Sequence, residues 1–229
     1  MAYRVISIGA YPRHPLRLSD AARPERPGHA TTTLVLAGEA AIVVDPGLPG
    51  EILLPRLVER AGLTPADVTH VFLTSFQPET TRGLPAFESA AWLVPERERE
   101  SAGLPLAMTL KRAAEEGADG DVIEMLERQV GLLARCEAAE DRVAPRVDLF
   151  PLPGVTPGMC GLLLADPNTT TLIAGDAVPT VEHLEQGKVP DTAQDLDAAR
   201  ESLLEAVEVA DAIVCGRDNL VMNPSKRPF

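Results

Sequence analysis

A repeated unit of two short apolar runs, a tight turn and an acidic residue constrains the fold of this chain most strongly. Residues 31–47 pass from one run through the turn Gly38-Glu39 into a second run that ends at Asp45. Residues 159–177 repeat this order, and the second run there ends at Gly175-Asp176. Short apolar runs bounded by turn residues predict strands, and two such runs joined by a tight turn predict a β-hairpin. We therefore expect two similar halves, each with an acid where a buried strand runs out into a loop, the place where open sheets present reactive groups.

Other patterns extend each half into a sheet with helices. Apolar runs predict strands at 5–8, 32–36, 41–44, 71–74, 91–94, 161–164, 171–174 and 212–214. Helical spacing predicts helices after the turn at 47–50, over 122–133 and over 196–207, the last capped by Asp191 or Thr192. The segment from about 95 to 145 is rich in Glu, Arg and Ala, and we expect a helical insertion or lid there.

These elements predict an α/β fold, a layered arrangement of two sheets with helices outside. We expect a single domain over residues 1–229, in which about 1–150 and 151–229 each supply one sheet and its helices. With 229 residues and 45% of them hydrophobic, the chain can bury a core without a disulfide or a metal.

Charge and composition disfavour several classes of partner. Asp and Glu number 34 against 21 Lys and Arg, a net charge of -13, so phosphate backbones and anionic membranes would be repelled. Aromatic residues are only 3%, too few to favour a base-stacking surface. No apolar run approaches the roughly 20 residues of a membrane span. The cysteines form no CxxC pair, which fits a reducing compartment, and we expect a cytoplasmic protein that binds neither nucleic acid nor membrane.

The loop motifs follow one another in a recognisable order. Asp45-Pro-Gly precedes a loop that runs from Thr74 to Gly83, then Pro153-Gly-Val-Thr-Pro-Gly, Gly175-Asp176 and Cys215-Gly-Arg217. In order and spacing they resemble the metallo-β-lactamase-fold hydrolases over nearly the whole chain. That family carries a His-x-His-x-Asp-His loop, a Pro-Gly-His-Thr-Pro-Gly-His turn, a Gly-Asp strand end and a late Gly-His. Together with the repeated hairpin, the resemblance implies a four-layer αββα sandwich of two mixed β-sheets with helices outside. For the family it also implies hydrolysis by metal-activated water.

The family's metal ligands are mostly replaced in this sequence. Zinc requires deprotonated Cys, neutral His or carboxylate ligands, three or four of them from the protein. Valine offers no lone pair, arginine is a permanent cation, and hydroxyl or amide oxygens are poor zinc donors. We therefore predict a site without metal or other cofactor, supported by Asp45 and Arg82. The family's ligand positions hold Ser75, Gln77, Glu79, Thr80, Val155, Asp176 and Arg217.

A salt bridge is expected where the family holds its metal. The family's late histidine and Gly-Asp aspartate converge on one cation, so Arg217 should face Asp176 across the site, with Asp45 and Glu79 close by. Carboxylates left partly buried without a counter-charge would be costly, and a guanidinium can bind one of them through two nitrogens.

Other candidate chemistry is weaker. His14, His29, His70 and His183 lack metal-loop spacing and are expected to be surface or capping residues, although His29 could overhang the pocket. Cys160 or Cys215 would need a positioned base as a nucleophile, so both are expected to be packing residues.

We therefore predict a pseudoenzyme that binds a small-molecule ligand in the cleft or acts as the non-catalytic partner of an active relative. A homo-oligomer is compatible with this hypothesis. The alternative is a hydrolase that retains activity through an unusual metal site or through metal-independent acid–base chemistry of Glu79 and Asp176.

Overall fold

The computed structural model describes residues 1–17 and 27–226, and within them two six-stranded β-sheets pack together. In the first sheet, β1, β2 and β3 pair antiparallel, and the later strands join β3 in parallel. Parallel neighbours need crossover connections, and helical segments supply them here. The strands follow chain order: β1 (Ala2–Ser7), β2 (Thr32–Ala37), β3 (Ala40–Val44), β4 (His70–Phe72), β5 (Ala91–Val94) and β6 (Glu137–Ala138).

The second sheet also keeps its strands in chain order. Its neighbours pair antiparallel except for the fourth and fifth strands, which run parallel because two helices connect them. The strands are β7 (Arg142–Ala144), β8 (Val147–Pro151), β9 (Cys160–Asp166), β10 (Thr169–Gly175), β11 (Ala212–Cys215) and β12 (Leu220–Met222).

The helices lie outside the two sheets. The apolar core has three layers, one between each sheet and its helices and one between the two sheets. They are α1 (Gly50–Ala61), α2 (Pro78–Thr81), α3 (Glu96–Glu115), α4 (Gly120–Arg135), α5 (Val181–Gln186) and α6 (Leu196–Val209). Adjacent strand residues alternate between clusters: Leu34 packs with α1 and Val35 packs between the sheets. Leu172 likewise packs with α6, and Ile173 packs between the sheets. This alternation confirms the four-layer αββα sandwich.

Both predicted hairpins are present, as β2–β3 and β9–β10. The division between the halves was predicted about ten residues too late, because the first sheet ends at Ala138 and the second begins at Arg142. The stretch from about 95 to 145, expected to be helical, contains helices α3 and α4 between residues 96 and 135. The remainder of this stretch contains strands β6 and β7. None of the helices in the described part of the chain is long and apolar enough to cross a membrane.

The predicted cap of α6 was wrong. Asp195 caps this helix, since its carboxylate accepts hydrogen bonds from the amides of Asp197 and Ala198, both at 3.0 Å. A capping side chain reaches only the amides two or three residues ahead. Asp191 and Thr192 are therefore too far from the start of the helix at Leu196.

Candidate functional site

The carboxyl ends of four strands meet at one edge of the sandwich. Asp45 follows β3, the loop from Thr74 follows β4, Asp176 follows β10 and Arg217 lies just beyond β11. Backbone hydrogen bonds join the halves here, as the amide of Cys160 donates to the carbonyl of Thr74 at 3.1 Å. Gly216 must be glycine, because a Cβ there would lie 2.4 Å from the carbonyl carbon of Gly175. The close packing brings the two predicted acids into one buried site.

Asp45 fastens the end of β3 to the end of β4. Its side chain is buried and accepts hydrogen bonds from the Thr74 amide at 2.8 Å and the Thr74 hydroxyl at 2.7 Å. Its φ of 48° places a non-glycine residue in the left-handed region, a strained conformation. Burial first, and then the charge of Asp176, raises the pKa of the Asp45 carboxyl to about 7.

Arg217 and Asp176 form a buried ion pair, as the sequence predicted. The Arg217 Nε lies 3.0 Å from Oδ1 of Asp176, and Nη2 lies 2.6 Å from Oδ2. Only 7% of the arginine side chain and 9% of the aspartate side chain are exposed. Burial opposes the charge on Arg217, but Asp176, followed by Glu79, raises the pKa of the guanidinium above its ordinary value. Two nitrogens of Arg217 thus donate to the two oxygens of Asp176, the bidentate geometry that makes such ion pairs strong.

Tyr11, in the segment between β1 and β2, lies against the ion pair of Arg217 and Asp176. The guanidinium carbon of Arg217 lies 5.1 Å from the centroid of the Tyr11 ring, within cation–π range. Burial, followed by the charge of Asp176, raises the pKa of the Tyr11 hydroxyl. Nothing in the sequence pointed to Tyr11, because a single aromatic in an irregular loop has no periodicity.

The loop after β4 is held by its own hydrogen bonds. The Thr80 hydroxyl donates to the carbonyl of Ser75 at 2.7 Å, and the Gln77 amide donates to the Thr80 hydroxyl at 3.2 Å. The Glu79 carbonyl accepts from the amide of Ala30 at 3.0 Å, while its carboxylate contributes to the electrostatic field at Arg217. The buried Ser75 hydroxyl has no hydrogen-bond partner among the described residues.

Val155 and Arg82, also named from the sequence, form no hydrogen bond or ion pair with Arg217 or Asp176. Val155 packs into the apolar cluster beneath the second sheet, and its carbonyl accepts from the amide of Gln194 at 3.3 Å. Arg82 donates through Nη1 to the carbonyl of Gly28 at 3.0 Å. Its role is to hold the segment before the first hairpin.

Glu98 of α3 ties two of the site's loops together, and sequence analysis missed it. Its carboxylate accepts from the Phe76 amide at 2.8 Å, the Thr156 hydroxyl at 2.7 Å and the Gly158 amide at 3.2 Å. A Cβ on Gly158 would lie 2.0 Å from the amide nitrogen of Glu98, so only glycine allows this approach. Glu98 is 1% exposed, although the charged run that begins α3 is typical of a solvated helix face.

The expectation that His14 and His183 are surface or capping residues was wrong. They are 8% and 1% exposed, and both contact the hydroxyl of Thr180, at 3.1 and 2.9 Å. Burial, followed by the charge of His14, lowers the pKa of His183 to about 4, which keeps its ring neutral. Their position arises from tertiary packing, since the two residues lie far apart in the chain.

The remaining histidines and cysteines show no reactive arrangement. His29 is half-buried and its Nε2 lies 3.2 Å from the carbonyl of Ile8, while Nδ1 of His70 lies 2.8 Å from the neighbouring Thr69 hydroxyl. All three cysteines are buried and free. Burial raises the pKa of the Cys160 thiol to about 12 and also raises that of Cys215, as expected for packing residues.

The donor set at this site does not fit a metal pair. Of the seven ligand positions only Glu79 and Asp176 carry carboxylates, and Arg217 already binds both oxygens of Asp176. Across residues 1–17 and 27–226 no group of three or more His, Cys, Asp or Glu side chains is placed to hold a metal ion.

Fold and site together define a class: an αββα sandwich whose strand-end loops converge on one buried polar centre. The chain belongs to the metallo-beta-lactamase superfamily, whose family model matches residues 26–216. The comparison with curated proteins finds no match.

Solved structures agree with this fold. A protein from Thermotoga maritima, described as a candidate metallo-beta-lactamase, matches with a TM-score of 0.66 and 19% identity over 96% of this chain and 98% of its own. The hydrolase AbOPH of the beta-lactamase superfamily matches with a TM-score of 0.64 and 17% identity, over 92% and 84%. An N-acyl homoserine lactone hydrolase with product bound at its catalytic metal center matches with a TM-score of 0.58 and 21% identity, over 90% and 86%. At these identities the likeness establishes the fold alone.

Proposed function

We propose that this chain is a non-catalytic member of the metallo-beta-lactamase superfamily, a pseudoenzyme that acts by binding. Its partner is a small-molecule ligand taken into the cleft or an active relative with which it associates. Without a metal pair, the chain would lack the activated water on which the family's hydrolysis depends. We further propose that it works in the cytoplasm, in line with its cysteine usage.

The observation that carries the proposal is the buried pair between Arg217 and Asp176. A guanidinium with its Nη2 2.6 Å from the carboxylate of Asp176 supplies positive charge at a position that in the family belongs to a cation. A metal ion at the Asp176 carboxylate would have to compete with the Arg217 guanidinium, which stays protonated and therefore keeps its positive charge. The other substituted positions support the same conclusion, since Val155 has no donor and Thr80 donates its hydroxyl proton within its own loop.

The alternative is a hydrolase that keeps activity through an unusual metal site or through acid–base chemistry without metal. In the second version Glu79 and Asp176 would act as the acid–base pair, but Arg217 binds both oxygens of Asp176. The structure adds Asp45 as a candidate base, because its pKa of about 7 suits proton transfer near neutral pH. Asp45 is only 2% exposed, however, and both oxygens of its carboxylate accept hydrogen bonds from Thr74. A substrate proton would therefore have no direct access to it.

Metal content and activity, measured on the same purified protein, test the proposal. After dialysis we expect less than about a tenth of an equivalent of zinc, iron or manganese, and a melting temperature that a chelator leaves unchanged. We also expect no turnover of an N-acyl homoserine lactone, with or without added zinc. Stoichiometric metal, or turnover abolished by chelator, would reject the proposal in favour of an unusual metal site. Turnover that survives the chelator would favour metal-independent chemistry.

Arg217→His is the informative variant. It restores the family's residue at one position and removes the competing cation, yet Val155 and Ser75 remain unsuitable as ligands. We therefore expect no stoichiometric zinc in this variant either. Tight zinc binding by Arg217→His would mean that the remaining residues still form a metal site, contrary to the proposal.

A further inference from the structure

We propose that the outer face of α3 binds the same face of a second copy of this chain, so that two copies associate with their α3 helices antiparallel. The proposal goes beyond the proposed function and does not depend on it, because the outer face of α3 takes no part in the buried polar site. Of the 20 residues of this helix only Glu98 is fully buried. Most of the helix surface is therefore open to a partner.

The inner face of α3 is already covered by α4. Leu106 and Leu133 line one small cavity between the two helices, and a Cβ on Gly103 would lie 3.7 Å from Cδ2 of Leu133. At about 100° per residue, Leu104 and Met108 lie roughly 160° around the helix from Leu106. They therefore point away from α4, and they are 68% and 55% exposed. Residues four apart are neighbours on a helix surface, so the two side chains form one apolar patch.

This patch lies at the centre of a stripe with heptad spacing, here called the α3 stripe. The intervals between its members alternate between four and three residues, the spacing that keeps one side of a helix towards a partner helix. Pro105 interrupts the helical hydrogen bonding once, but the helix continues to Glu115 and the spacing is kept. The members of the stripe are Arg97, Ser101, Leu104, Met108, Lys111 and Glu115.

The α3 stripe is complementary to itself when two copies run antiparallel. With a two-fold axis level with Leu106, every residue lies opposite the residue equally far beyond Leu106 on the other copy. Leu104 then meets Met108 of the second copy at the centre, and Arg97 meets Glu115 at both ends. Two-fold symmetry makes each contact occur twice. Parallel copies would instead place like charges against each other at both ends, so the charges favour the antiparallel arrangement.

The remaining charges fit the same arrangement. Glu100, beside the stripe, comes within one residue's rise, about 1.5 Å along the axis, of the level of Lys111 on the second copy. In its own chain Lys111 lies 3.8 Å from Glu115, but these side chains are 77% and 65% exposed, so their pair contributes little and can be exchanged for contacts to the second copy. The whole chain carries a net charge of -13, whereas the stripe with Glu100 holds two positive and two negative charges. Two acidic chains can therefore approach each other here with little repulsion.

The association should be reversible rather than permanent. The stripe runs from Arg97 to Glu115, fewer than three heptads, and coiled coils that stay assembled are usually longer. A contact of one helix on one helix belongs with the small interfaces, below about 1,200 Å² in total. We therefore expect monomer and dimer to exchange at protein concentrations of about 10–500 µM.

Sedimentation velocity of the full chain over this concentration range tests the proposal, and wild type should shift from monomer to dimer as its concentration rises. Met108→Glu places two uncompensated charges at the centre of the interface and should raise the dissociation constant of the dimer by at least about tenfold. Met125→Glu is the matched control, because Met125 is also 55% exposed but lies on α4, outside the stripe. It should leave the dissociation constant unchanged within about twofold.

A charge exchange tests the antiparallel register. Arg97→Glu and Glu115→Arg each place like charges opposite each other at both ends, and each should raise the dissociation constant by about fivefold or more. Mixed in equal amounts, these two variants should associate with each other within about twofold of wild type, because unlike charges then meet again at both ends. Each new charge lies at the end of α3 where the helix dipole favours it. Thermal melting followed by circular dichroism confirms that both variants are folded.

Three results would each overturn the proposal. They are a wild type that stays monomeric up to about 500 µM, an equal loss of dimer in Met108→Glu and Met125→Glu, and charge variants that fail to associate when mixed. A chain that stays monomeric but binds an active relative would refute this proposal while agreeing with the proposed function. Stoichiometric zinc in a dimeric chain would do the reverse.

Discussion

Replacing Arg217 by alanine should destabilise the fold by about 3 kcal/mol. The structure gives the magnitude, because the variant leaves the Asp176 carboxylate in a site where its side chain is 9% exposed and its partner is gone. Breaking a buried pair by removing one partner typically costs 3–5 kcal/mol, since the remaining ion has lost its hydration and gains nothing in return. We take the lower end, because truncating the arginine opens space in which water can reach Asp176. In a chain of this length, about 3 kcal/mol corresponds to a fall in melting temperature of roughly 6–12 °C.

Urea unfolding followed by circular dichroism measures this effect. Arg200→Ala is the control, because Arg200 bonds to Asp197 at 2.8 Å while their side chains are 58% and 90% exposed, and its loss should matter by less than about 1 kcal/mol. A double variant, Arg217→Met with Asp176→Leu, should recover much of the lost stability, since an apolar pair leaves no unpaired charge. If Arg217→Ala is no more destabilising than Arg200→Ala, the pair does not stabilise the site and our reasoning about it is wrong.

Two further predictions concern the other buried carboxylates. Glu98→Gln should lower the free energy of unfolding by about 2–3 kcal/mol, because an amide nitrogen cannot accept the hydrogen bonds that a carboxylate oxygen accepts. Denaturant unfolding should show little change for Glu100→Gln, the exposed control. Equal effects of the two variants would contradict the role of Glu98. Asp45 has a folded pKa of about 7 against an ordinary 3.8, so the folded state retains a proton that the unfolded chain releases between these values. The free energy of unfolding of wild type, relative to Asp45→Asn, should therefore fall by up to about 1.4 kcal/mol per pH unit from pH 4 to 7 and level off above, and parallel pH profiles of the two proteins would refute this.

Local patterns in the sequence were sufficient to predict much of the architecture. Short apolar runs between turn residues, such as the one around Leu34 and Val35, predict strands and both hairpins. In the structure Leu34 and Val35 lie on opposite faces of the first sheet. Four strands were missed, β6, β7, β8 and β12. Three of them have only two or three residues, too few to show a period. Their pairing is decided by neighbouring strands.

The sequence by itself determined the order of the loop motifs and the chemistry of each substituted ligand position. The pairing of Arg217 with Asp176 was predicted from the resemblance of that order to the metallo-β-lactamase fold, because the family's residues at these two positions converge on one cation. Only the tertiary structure decided which other groups join them. Glu98 bonds to Thr156, 58 positions away, and His14 reaches Thr180 across 166 positions. Contacts of this range leave no local pattern, since they depend on how the loops at one sheet edge and the segment before the first hairpin pack in three dimensions.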